Sequence, residues 1–581
     1  MPAYIPKATN HDIAHAFSHI AELLSLLEEN GFKIRAYSHA AAIIEGHHEE
    51  LGVVFERDGR KGLQEISGVG HDLALKIEEL LSLGHLEYLR DLQKKVPKGL
   101  LEILKIEGMG PVKTRFVWKR FDVKNLKNLE KLLASGKLAA IRGWGEKSVS
   151  NILRGIELMG LVGKRIPLPT AYKIAHAIRE ALKRSDLCEK VEVAGSIRRM
   201  KDTVGDIDIL ATTEHPLQVM DLFVSLPYVR EVTLRGITRS TVHLKSGLQA
   251  DLRVVAPHEF GAALYYFTGS KDHNVSVRQW AVKNRMTVSE YGVYAGTKSK
   301  KGKLLAAETE KDVFHVLGMD YVAPELRENR GEIEAAREHA LPKLIEVKDL
   351  CGDLHAHSTV SDGVDTMTDM ARAAQNAGLT YIVITDHAST IGLVKGIKER
   401  TVGDYLKKID AVKRRVPGIH IIAGAEVDIL ETGQLYLSDA ALSHLEWVVA
   451  SVHSSFRQSE KEMTARILRA IQNPHVSMIG HPTARLLGRR APVAFDTGAV
   501  FKAAAKAGVA LEVSASPFRL DLDDIRAREA KEAGVELAIA SDAHGVDGFD
   551  FRFGVGQARR GWLTKHDVLN ALPWAEFKKR L

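Results

Sequence analysis

The chain has 581 residues, of which 45% are hydrophobic, 27% are charged and 17 are proline. This composition excludes a disordered or fibrous chain, and at roughly 100 to 200 residues per domain it predicts about three to five domains. The two cysteines, Cys188 and Cys351, lie far apart, which argues against a disulfide framework or a cysteine-rich zinc module and favours a reducing compartment. The first residues lack the order of a signal peptide, and no apolar run approaches the roughly 18 residues of a membrane span. We therefore expect a soluble, cytoplasmic protein with no membrane partner.

Charge is unevenly distributed along the chain. The formal net charge is +7, but residues 101–200 hold 21 Lys or Arg against 10 Asp or Glu, whereas residues 351–581 hold 29 against 28. A basic front part predicts contact with a polyanion, with affinity that comes largely from counterion release. The alternative, which charge alone does not exclude, is a solvated helical face.

A short glycine motif occurs three times among the helical patterns of the first 160 residues. It reads ISGVG at 66–70, IEGMG at 106–110 and IRGWG at 141–145, each between two helical stretches. The glycines permit a tight turn whose free amides face outward at a helix N-terminus, where a phosphate can bind without any reading of bases. Three copies beside a basic segment predict binding to the DNA backbone, and they resemble helix-hairpin-helix motifs. The predicted DNA-binding residues are Gly68, Gly70, Gly108, Gly110, Gly143 and Gly145.

One lysine near the first glycine turn invites a chemical interpretation. Lys76 lies one and a half turns after Gly70 on the same predicted helix. An amine held near a bound phosphate could form a Schiff base with an abasic sugar. An ordinary surface lysine is the competing interpretation.

Alternating patterns begin at residue 191 and place three aspartates on predicted strands. In GDIDIL, Asp206 and Asp208 share one face of a strand, while Ile207 and Ile209 occupy the other. Asp251 recurs in QADLRVV, and pairing of the two strands would bring a third carboxylate to the same point. Three oxygen ligands suit hard divalent ions such as Mg²⁺, and a pair of such ions can support phosphoryl transfer. Just upstream, GS and two arginines offer amides, a hydroxyl and positive charge for a triphosphate.

The GS and DxD elements together resemble the nucleotidyltransferase palm signature. With KRIP at 164–167 and YYFTGSKDHNVSVR at 265–278, residues 5–320 resemble a family X DNA polymerase, similar to DNA polymerase beta. The resemblance implies that the three aspartates hold catalytic Mg²⁺ or Mn²⁺. It places Lys76 where that family's lyase nucleophile lies, although Asp72 stands where a second lysine is common, and Lys271 replaces the acid of the animal enzymes. The nucleotide-binding residues that it implies are Arg165, Gly195, Ser196 and Arg199 for the triphosphate, Tyr266, Phe267 and Gly269 for the sugar, and Asn274 and Arg278 along the minor groove.

The pattern changes again after residue 348. Seven short apolar runs alternate with helical patterns, which predicts parallel strands joined by crossover helices in a closed or nearly closed barrel. Six of the seven runs end in residues that can ligate a metal, and VALEVSAS is the exception. The active site of a β/α barrel lies at these strand ends, so we expect the side chains to converge. They are His355, His357, Asp386, His387, Glu426, His453, His481, Asp542 and His544.

The motifs DLHAHS, SDG, TDH, GAE, VHS, GHP and SDAH of residues 349–575 resemble those of the polymerase and histidinol phosphatase (PHP) domain. That resemblance implies a metal-dependent phosphoesterase with up to three ions, which could be Mn²⁺, Zn²⁺ or both. The implied ligand sets are His355, His357, Glu426 and Asp542 for one ion, Glu426, His453 and His481 for a second, and Asp362, His387 and His544 for a third.

We therefore predict a multidomain chain with an α-helical helix-hairpin-helix region, an α+β nucleotidyltransferase palm and thumb, and a C-terminal (β/α)7-type PHP barrel. The predicted function is a DNA polymerase that fills short gaps in repair, fused to a 3′-5′ exonuclease; AP-site incision is a further activity that the resemblance permits. Gapped or nicked DNA and dNTPs are the expected partners of a monomer. The predicted ranges are 1–92 and 93–163 for two helical DNA-binding regions, 164–257 for the palm, 258–320 for a nucleotide-selecting subdomain, 321–348 for an acidic, helix-forming tether and 349–575 for the barrel.

Two other functions fit parts of the sequence. In one, only the barrel is active, on a small phosphate ester, and the front part anchors the chain to DNA. In the other, the chain is a non-catalytic scaffold for broken DNA ends. The intact aspartate trio speaks against the first, and complete ligand sets at both sites weigh against the second.

Overall fold

The structure is a computed structural model, and it describes residues 8, 10–45, 51–66, 68–104, 106, 109–138, 141, 144–145, 149, 152–153, 156, 165–297, 300–389 and 396–581. The chain divides into two compact units, Met1–Gly163 and Lys164–Leu581. Two of the predicted DNA-binding glycines, Gly108 and Gly143, lie outside the described residues. Among the residues that are described, no helix is both long and apolar enough to cross a membrane.

The described part of the first unit is helical. Its first helix buries Ile13, Phe17 and Ile20, which recur at spacings of four and three residues and so form one apolar stripe. Similar stripes on the following helices pack against it in one hydrophobic cluster. The helices are Asn10–Leu26, Gly31–Glu45, Leu51–Glu65, His71–Leu83, Glu87–Lys95, Gly99–Leu104, Pro111–Phe121 and Leu126–Ala134.

The second unit begins with a five-stranded sheet of order β2-β4-β7-β6-β5. Strands β4 and β7 are parallel, and the other neighbours are antiparallel. Alternate residues of β4, such as Ile207 and Ile209, enter a core that also receives the apolar stripe of helix Leu168–Lys183. A separate ribbon pairs β1 with β3. The strands are β1 Ile166–Pro167, β2 Lys190–Val193, β3 Thr203–Val204, β4 Asp206–Thr212, β5 Val229–Arg235, β6 Arg239–Leu244 and β7 Gln249–Val254, and the helices are Leu168–Lys183, Gly195–Arg198 and Pro216–Ser225.

Helices and a three-stranded antiparallel sheet of order β10-β9-β8 follow the palm sheet. Gly261 permits helix Phe260–Thr268 to approach its neighbour closely, because a Cβ at this position would lie 2.3 Å from Thr309 Cα. Tyr265 and Phe314 meet edge to face in the core, with ring centroids 5.4 Å apart. The elements are the helices Phe260–Thr268, Lys271–Lys283 and Glu310–Val316, and the strands β8 Met286–Ser289, β9 Gly292–Thr297 and β10 Lys300–Ala306.

Residues 321–348, whose composition predicts a tether, are packed into this unit. Leu326 and Ile333 join the hydrophobic cluster around Phe314, and helix Glu332–Arg337 forms part of the segment. Arg327 is fully buried, with Nη1 2.7 Å from the Oε1 atom of Glu310. The segment is therefore packed structure rather than a free tether, because its charged side chains find buried partners.

A parallel barrel completes the second unit and confirms the predicted fold class. Its strand order is β11-β12-β14-β15-β16-β17-β18, and the short β13 also pairs with β14. The first and last strands nearly close the barrel: the amides of Asp542 and His357 donate to the carbonyls of His355 and Ala543 at 3.0 and 2.8 Å. Every residue of β15 and of β17 is buried, because both faces of the barrel wall are covered. The strands are β11 Gly352–Ala356, β12 Tyr381–Ile384, β13 His387–Ala388, β14 His420–Asp428, β15 Trp447–Ser451, β16 Met478–Gly480, β17 Ala510–Ser514 and β18 Leu537–Ala540, and the helices are Met367–Asn376, Val402–Arg415, Asp439–Leu442, Glu460–Ile471, Thr497–Ala507, Asp524–Glu532, Arg552–Arg560 and Trp574–Phe577.

Candidate functional site

The three glycine turns of the first unit share one hydrogen-bond pattern. In each turn, the residue between the glycines donates its amide to the carbonyl of the isoleucine three positions earlier, at 2.9 Å. The donor and acceptor pairs are Val69 with Ile66, Met109 with Ile106 and Trp144 with Ile141. Gly68 has a φ of +89°, and a Cβ there would lie 2.4 Å from Ile43 Cδ1. A Cβ on Gly70, Gly110 or Gly145 would meet no atom of the described residues within 4 Å, which leaves room for a ligand beside each of these glycines.

Lys76 lies on the helix that follows the first turn. Its Nζ donates to the Asp72 carbonyl at 3.3 Å and lies 5.4 Å from the centroid of the Tyr88 ring. Lys33 Nζ lies 4.9 Å from the same centroid. Two ammonium groups around one aromatic ring form a small basic surface. The lyase role of Lys76 stays a prediction.

The three predicted aspartates of the palm lie on two neighbouring strands. Asp206 and Asp208 are on β4, and Asp251 is on β7, directly opposite Asp208 in the parallel register. Residues two positions apart on a strand point to the same face, so Asp206 shares that face. Asp251 is only 6% exposed, whereas Asp206 is exposed to solvent. The structure thus places the three carboxylates together near the start of both strands.

Three side chains that the sequence did not single out hold Asp251 in place. Its Oδ1 accepts hydrogen bonds from Thr241 Oγ1 at 2.5 Å and Arg239 Nη2 at 3.0 Å, and its Oδ2 accepts one from Gln249 Nε2 at 2.7 Å. Burial alone would raise the pKa of Asp251, but these hydrogen bonds outweigh it and lower the pKa. The carboxylate is therefore charged and fixed in orientation.

Asp208 is the electrostatically strained member of the trio. Burial, followed by the charges of Asp206 and Asp251, raises its pKa to about 7. Gly195 lets the chain approach this carboxylate, because a Cβ there would lie 2.5 Å from Asp208 Oδ2. A carboxylate whose pKa is raised by two neighbouring carboxylates forms a site to which a divalent cation adds the opposing charge. The three side chains therefore fit Mg²⁺ or a similar hard ion.

Ser196 lies beside the trio on the short helix Gly195–Arg198. The amide of Ala194 donates to the Asp208 carbonyl at 2.8 Å, which ties the start of this helix to β4. The Ser196 hydroxyl oxygen is buried and has no hydrogen-bond partner within the described ranges. A buried hydroxyl without a partner costs free energy, and a phosphate oxygen could satisfy it.

The two arginines predicted to bind the triphosphate are held by different parts of the chain. Arg165 donates from Nε to Thr203 Oγ1 at 3.1 Å and from Nη2 to the Thr203 carbonyl. Arg199 donates from Nη1 to the Thr268 carbonyl at 2.5 Å and from Nε to Glu328 Oε1 at 3.0 Å. Both guanidinium groups are thus oriented by neighbours, and their roles toward a nucleotide stay predictions.

The remaining predicted nucleotide-binding residues are linked by contacts. The rings of Tyr266 and Phe267 meet edge to face, with centroids 5.2 Å apart. Asn274 Nδ2 donates to the Tyr266 carbonyl at 2.8 Å, and Arg278 Nε donates to the Asn274 carbonyl at 3.1 Å. Gly269 lies against the palm, because a Cβ there would be 3.2 Å from Arg199 Nη1.

All nine predicted PHP ligands come together at the C-terminal ends of the barrel strands. Their ligand atoms form overlapping groups in which all atoms lie within 4.8 Å of one another. His355, His357 and His387 each belong to two groups, whereas the resemblance implies one ion for each. Asp386 stays outside the groups, and its oxygens accept from the hydroxyls of Ser358 and Ser361, each at 2.7 Å. The groups are His357, Asp362, His387 and His544; His355, His357 and Asp542; His355, Glu426 and His481; and His387, Glu426 and His453.

Glu426 lies at the centre of this cluster. It is on β14, where β13 places His387 opposite it in register. Burial would raise its pKa, but the charges of neighbouring imidazoles hold the pKa well below the usual range. Its Oε1 lies 2.9 Å from His481 Nε2 and 3.2 Å from His453 Nε2, and its Oε2 lies 2.8 Å from His387 Nδ1, 3.4 Å from His355 Nε2 and 3.6 Å from His357 Nε2.

Several buried polar atoms of the cluster fit metal ligands better than hydrogen-bonding groups. Within the described ranges, His355 Nε2, both ring nitrogens of His357 and Glu426 Oε2 lie close to other polar atoms but in no hydrogen-bond geometry. Burial and the adjacent His544 and His387 lower the pKa of His357 to about 3, so its ring is neutral. Neutral imidazoles and carboxylates are ligands for Zn²⁺ and Mn²⁺. The residues present therefore fit a metal cluster.

Two further residues contact the ligands and were missed by the sequence analysis. Glu512 on β17 accepts from His355 Nδ1 at 3.0 Å and from the His481 amide. Arg519 Nε donates to Asp542 Oδ2 at 3.1 Å. A carboxylate behind a metal-ligating imidazole is a common arrangement, so the Glu in VALEVSAS was an available signal. Arg519 lies in the loop after that strand, within no motif.

The fold and the two sites define a class of protein: a nucleotidyltransferase palm joined to a metal-ligating barrel, with phosphoryl transfer as the chemistry that both can perform. Three family models match separate parts of the chain. The helix-hairpin-helix domain matches residues 8–86, the DNA polymerase beta thumb matches residues 263–328 and the PHP domain matches residues 353–516.

Known relatives extend these matches along the chain. DNA polymerase/3′-5′ exonuclease PolX of Bacillus subtilis (strain 168) is 35% identical over 563 residues, which cover 96% of this chain and 97% of the relative. DNA polymerase lambda of Rattus norvegicus is 30% identical over 359 residues, 55% of this chain and 57% of the relative. A probable phosphatase of Thermoanaerobacter sp. (strain X514) is 32% identical over 231 residues, 38% of this chain and 89% of the relative. The chain belongs to the PolX family, the family X DNA polymerases that carry a PHP domain.

Proposed function

We propose that this chain is a DNA-directed DNA polymerase that fills short gaps during DNA repair, with a metal-dependent 3′-5′ exonuclease at a second centre. The observation that carries the polymerase part is Asp208 in register opposite Asp251, with Asp206 on the same face. The convergence of nine ligands, Glu426 among them, carries the nuclease part. Similarity to the Bacillus PolX over almost all of both chains supports the combination.

The palm residues have different roles in nucleotide transfer. Asp206, Asp208 and Asp251 would hold Mg²⁺ or Mn²⁺, ions that supply opposing charge to the transferred phosphoryl group when bound. The Ser196 hydroxyl and the Arg199 guanidinium bind phosphate oxygens of the incoming dNTP. The residues that support Asp251 keep its carboxylate charged, so that the ion site is formed before the nucleotide arrives.

Residues behind the barrel ligands orient the second centre. Its ligands would hold up to three ions, Mn²⁺ or Zn²⁺ or both, which supply Lewis acidity toward a phosphodiester. Glu512 fixes the ring orientation of His355, and Asp428 Oδ1, 2.8 Å from His453 Nδ1, fixes that of His453. Arg519 adds positive charge beside Asp542, suited to a phosphate group.

The glycine turns and the basic segment of residues 101–200 serve DNA binding. The turns offer amides to the phosphates of gapped or nicked DNA, and so hold the substrate without sequence preference. We assign the chain to the cytoplasm as a monomer. Lyase activity at Lys76 and AP-site incision at the barrel belong to the same proposal as secondary activities.

One labelled gapped DNA tests both centres. Wild type, Asp251→Ala and His355→Ala are incubated with Mg²⁺ and Mn²⁺, with and without dNTPs. We expect Asp251→Ala to digest the 3′ end but not extend it, and His355→Ala to extend the primer but not digest it. Extension by Asp251→Ala would show that the aspartate trio is not the site of synthesis, and digestion without extension by wild type would favour a barrel-only phosphoesterase that is tethered to DNA. Loss of both activities in both variants would show that the centres are not independent.

A further inference from the structure

A buried arginine of the barrel contacts both the segment 321–348 and the main chain of the palm. Arg560 ends helix Arg552–Arg560 of the barrel, and its side chain is 2% exposed. Its Nη1 donates to Glu328 Oε1 and to the Arg199 carbonyl, both at 2.8 Å, and its Nη2 donates to Asp524 Oδ2 at 2.8 Å. The same Glu328 oxygen accepts from Arg199 Nε at 3.0 Å. One guanidinium of the barrel thus contacts the main chain of Arg199 and the carboxylate that orients its side chain.

The barrel also holds the residues that follow Arg199. Gln557 Nε2 donates to the Met200 carbonyl at 2.8 Å. Gly556 permits close packing there, because a Cβ would lie 2.9 Å from Met200 Cγ. Arg485 Nη1 donates to Asp202 Oδ2 at 3.0 Å. Three barrel side chains therefore fix the loop 199–202, which connects Ser196 to the strand before the aspartates.

We propose that Arg560 is a positioning residue for nucleotide binding, acting through Glu328 and Arg199 on the triphosphate of the incoming dNTP. Glu328 carries one negative charge between two guanidinium groups, so Arg560 draws part of that charge away from Arg199. Without Arg560, the carboxylate pairs with Arg199 alone, and the Arg199 carbonyl loses its donor. The guanidinium then leaves its position and is more strongly neutralised, which weakens its hold on phosphate. The inference rests on the proposed polymerase function.

Arg559, the neighbouring residue, supplies a matched control. Its Nε donates to Glu325 Oε1 at 2.8 Å and its Nη1 donates to the Ile345 carbonyl at 3.0 Å. It therefore also links the barrel helix to the segment 321–348. Its contacts are not with the loop 199–202. A change at Arg559 removes a comparable link without removing the support of Arg199.

The test measures steady-state gap filling by four full-length proteins: wild type, Arg560→Met, Arg560→Lys and Arg559→Met. We expect Arg560→Met to raise KM for dNTP about 10-fold, the effect of losing one charged hydrogen bond, with kcat within about 2-fold of wild type. The inhibition constant of pyrophosphate rises in parallel, while KM for gapped DNA does not. Arg560→Lys keeps the charge and recovers part of the affinity. Arg559→Met leaves KM for dNTP unchanged.

A double variant tests whether the effect passes through Arg199. In an Arg199→Lys background, Arg560→Met should add little further loss, because the residue it supports is already changed. Any of three results would overturn the inference. The first is a KM for dNTP in Arg560→Met equal to that of wild type, and the second is an equal loss of dNTP affinity in Arg560→Met and Arg559→Met. The third is full additivity of Arg560→Met with Arg199→Lys. Digestion of the 3′ end shows whether the barrel of each variant is folded. If Arg560→Met does not digest, the KM for dNTP of Arg560→Lys is compared with that of wild type and Arg559→Met instead, and the same results overturn the inference. Absence of extension by wild type would instead refute the polymerase proposal itself.

Discussion

Replacing Glu512 by Gln should weaken the metal cluster of the barrel without touching the polymerase. Glu512 is fully buried and accepts from His355 Nδ1 at 3.0 Å and from the His481 amide, so it orients two ligands at once. Gln has the same shape but no charge, and one of its two terminal atoms is a donor. Removing such a partner of a metal-ligating imidazole typically costs 10- to 100-fold in metal affinity or activity, about 1.4 to 2.7 kcal/mol.

The assay is digestion of a 3′-labelled primer, titrated with Mn²⁺ after the protein has been stripped of metal. Glu512→Gln should need about 10 to 100 times more Mn²⁺ for half-maximal digestion. Glu529→Gln makes the same chemical change at an exposed position of the barrel and should behave as wild type. Gap filling should be unchanged in both variants. A Glu512→Gln protein with the Mn²⁺ requirement of wild type would refute the reasoning that this carboxylate supports the ligands.

Three further predictions concern the polymerase part. Asp208→Asn should abolish gap filling and leave digestion intact, as measured on one gapped substrate. Because the pKa of Asp208 is about 7 and a cation requires the carboxylate form, the Mg²⁺ concentration for half-maximal gap filling should rise about 10-fold from pH 8 to pH 6; a constant value would contradict this. Glu310→Gln leaves the buried Arg327 without its charged partner, costs about 3 to 5 kcal/mol and lowers the calorimetric unfolding temperature of the second unit. Burial would raise the pKa of Glu310, but Arg327 and Arg198 hold it at about 2, so its stabilisation is present above pH 4.5 and lost toward pH 2; the variant should be less sensitive to acid over that range.

The sequence alone predicted those site residues whose positions follow the periodicity of a strand. Asp206 and Asp208 occupy alternate positions of one strand, and the histidines of the barrel end consecutive strands, so strand geometry alone predicts that each set converges. The seven apolar runs predicted the seven main strands of the barrel. The support of Asp251 by Arg239 and Thr241 could not be predicted, because it depends on the antiparallel register of β6.

Contacts between residues that lie far apart along the chain could not be predicted from the sequence. The acidic composition of residues 321–348 indicated a solvated tether, but Glu328 pairs with Arg560, 232 positions later. Arg485 likewise pairs with Asp202, 283 positions earlier. A carboxylate whose partner lies so far away has the same local pattern as one exposed to water. Composition therefore predicted the wrong environment for this segment.

The parallel pairing of β4 and β7 sets a limit on how this protein can vary. The carboxylates of Asp208 and Asp251 are borne by adjacent strands, so the spacing of their backbones is that of a hydrogen-bonded ladder, about 4.8 Å. Insertion of a single residue in either strand would turn one carboxylate to the opposite face of the sheet. The count of residues inside these two strands is therefore fixed by the reaction.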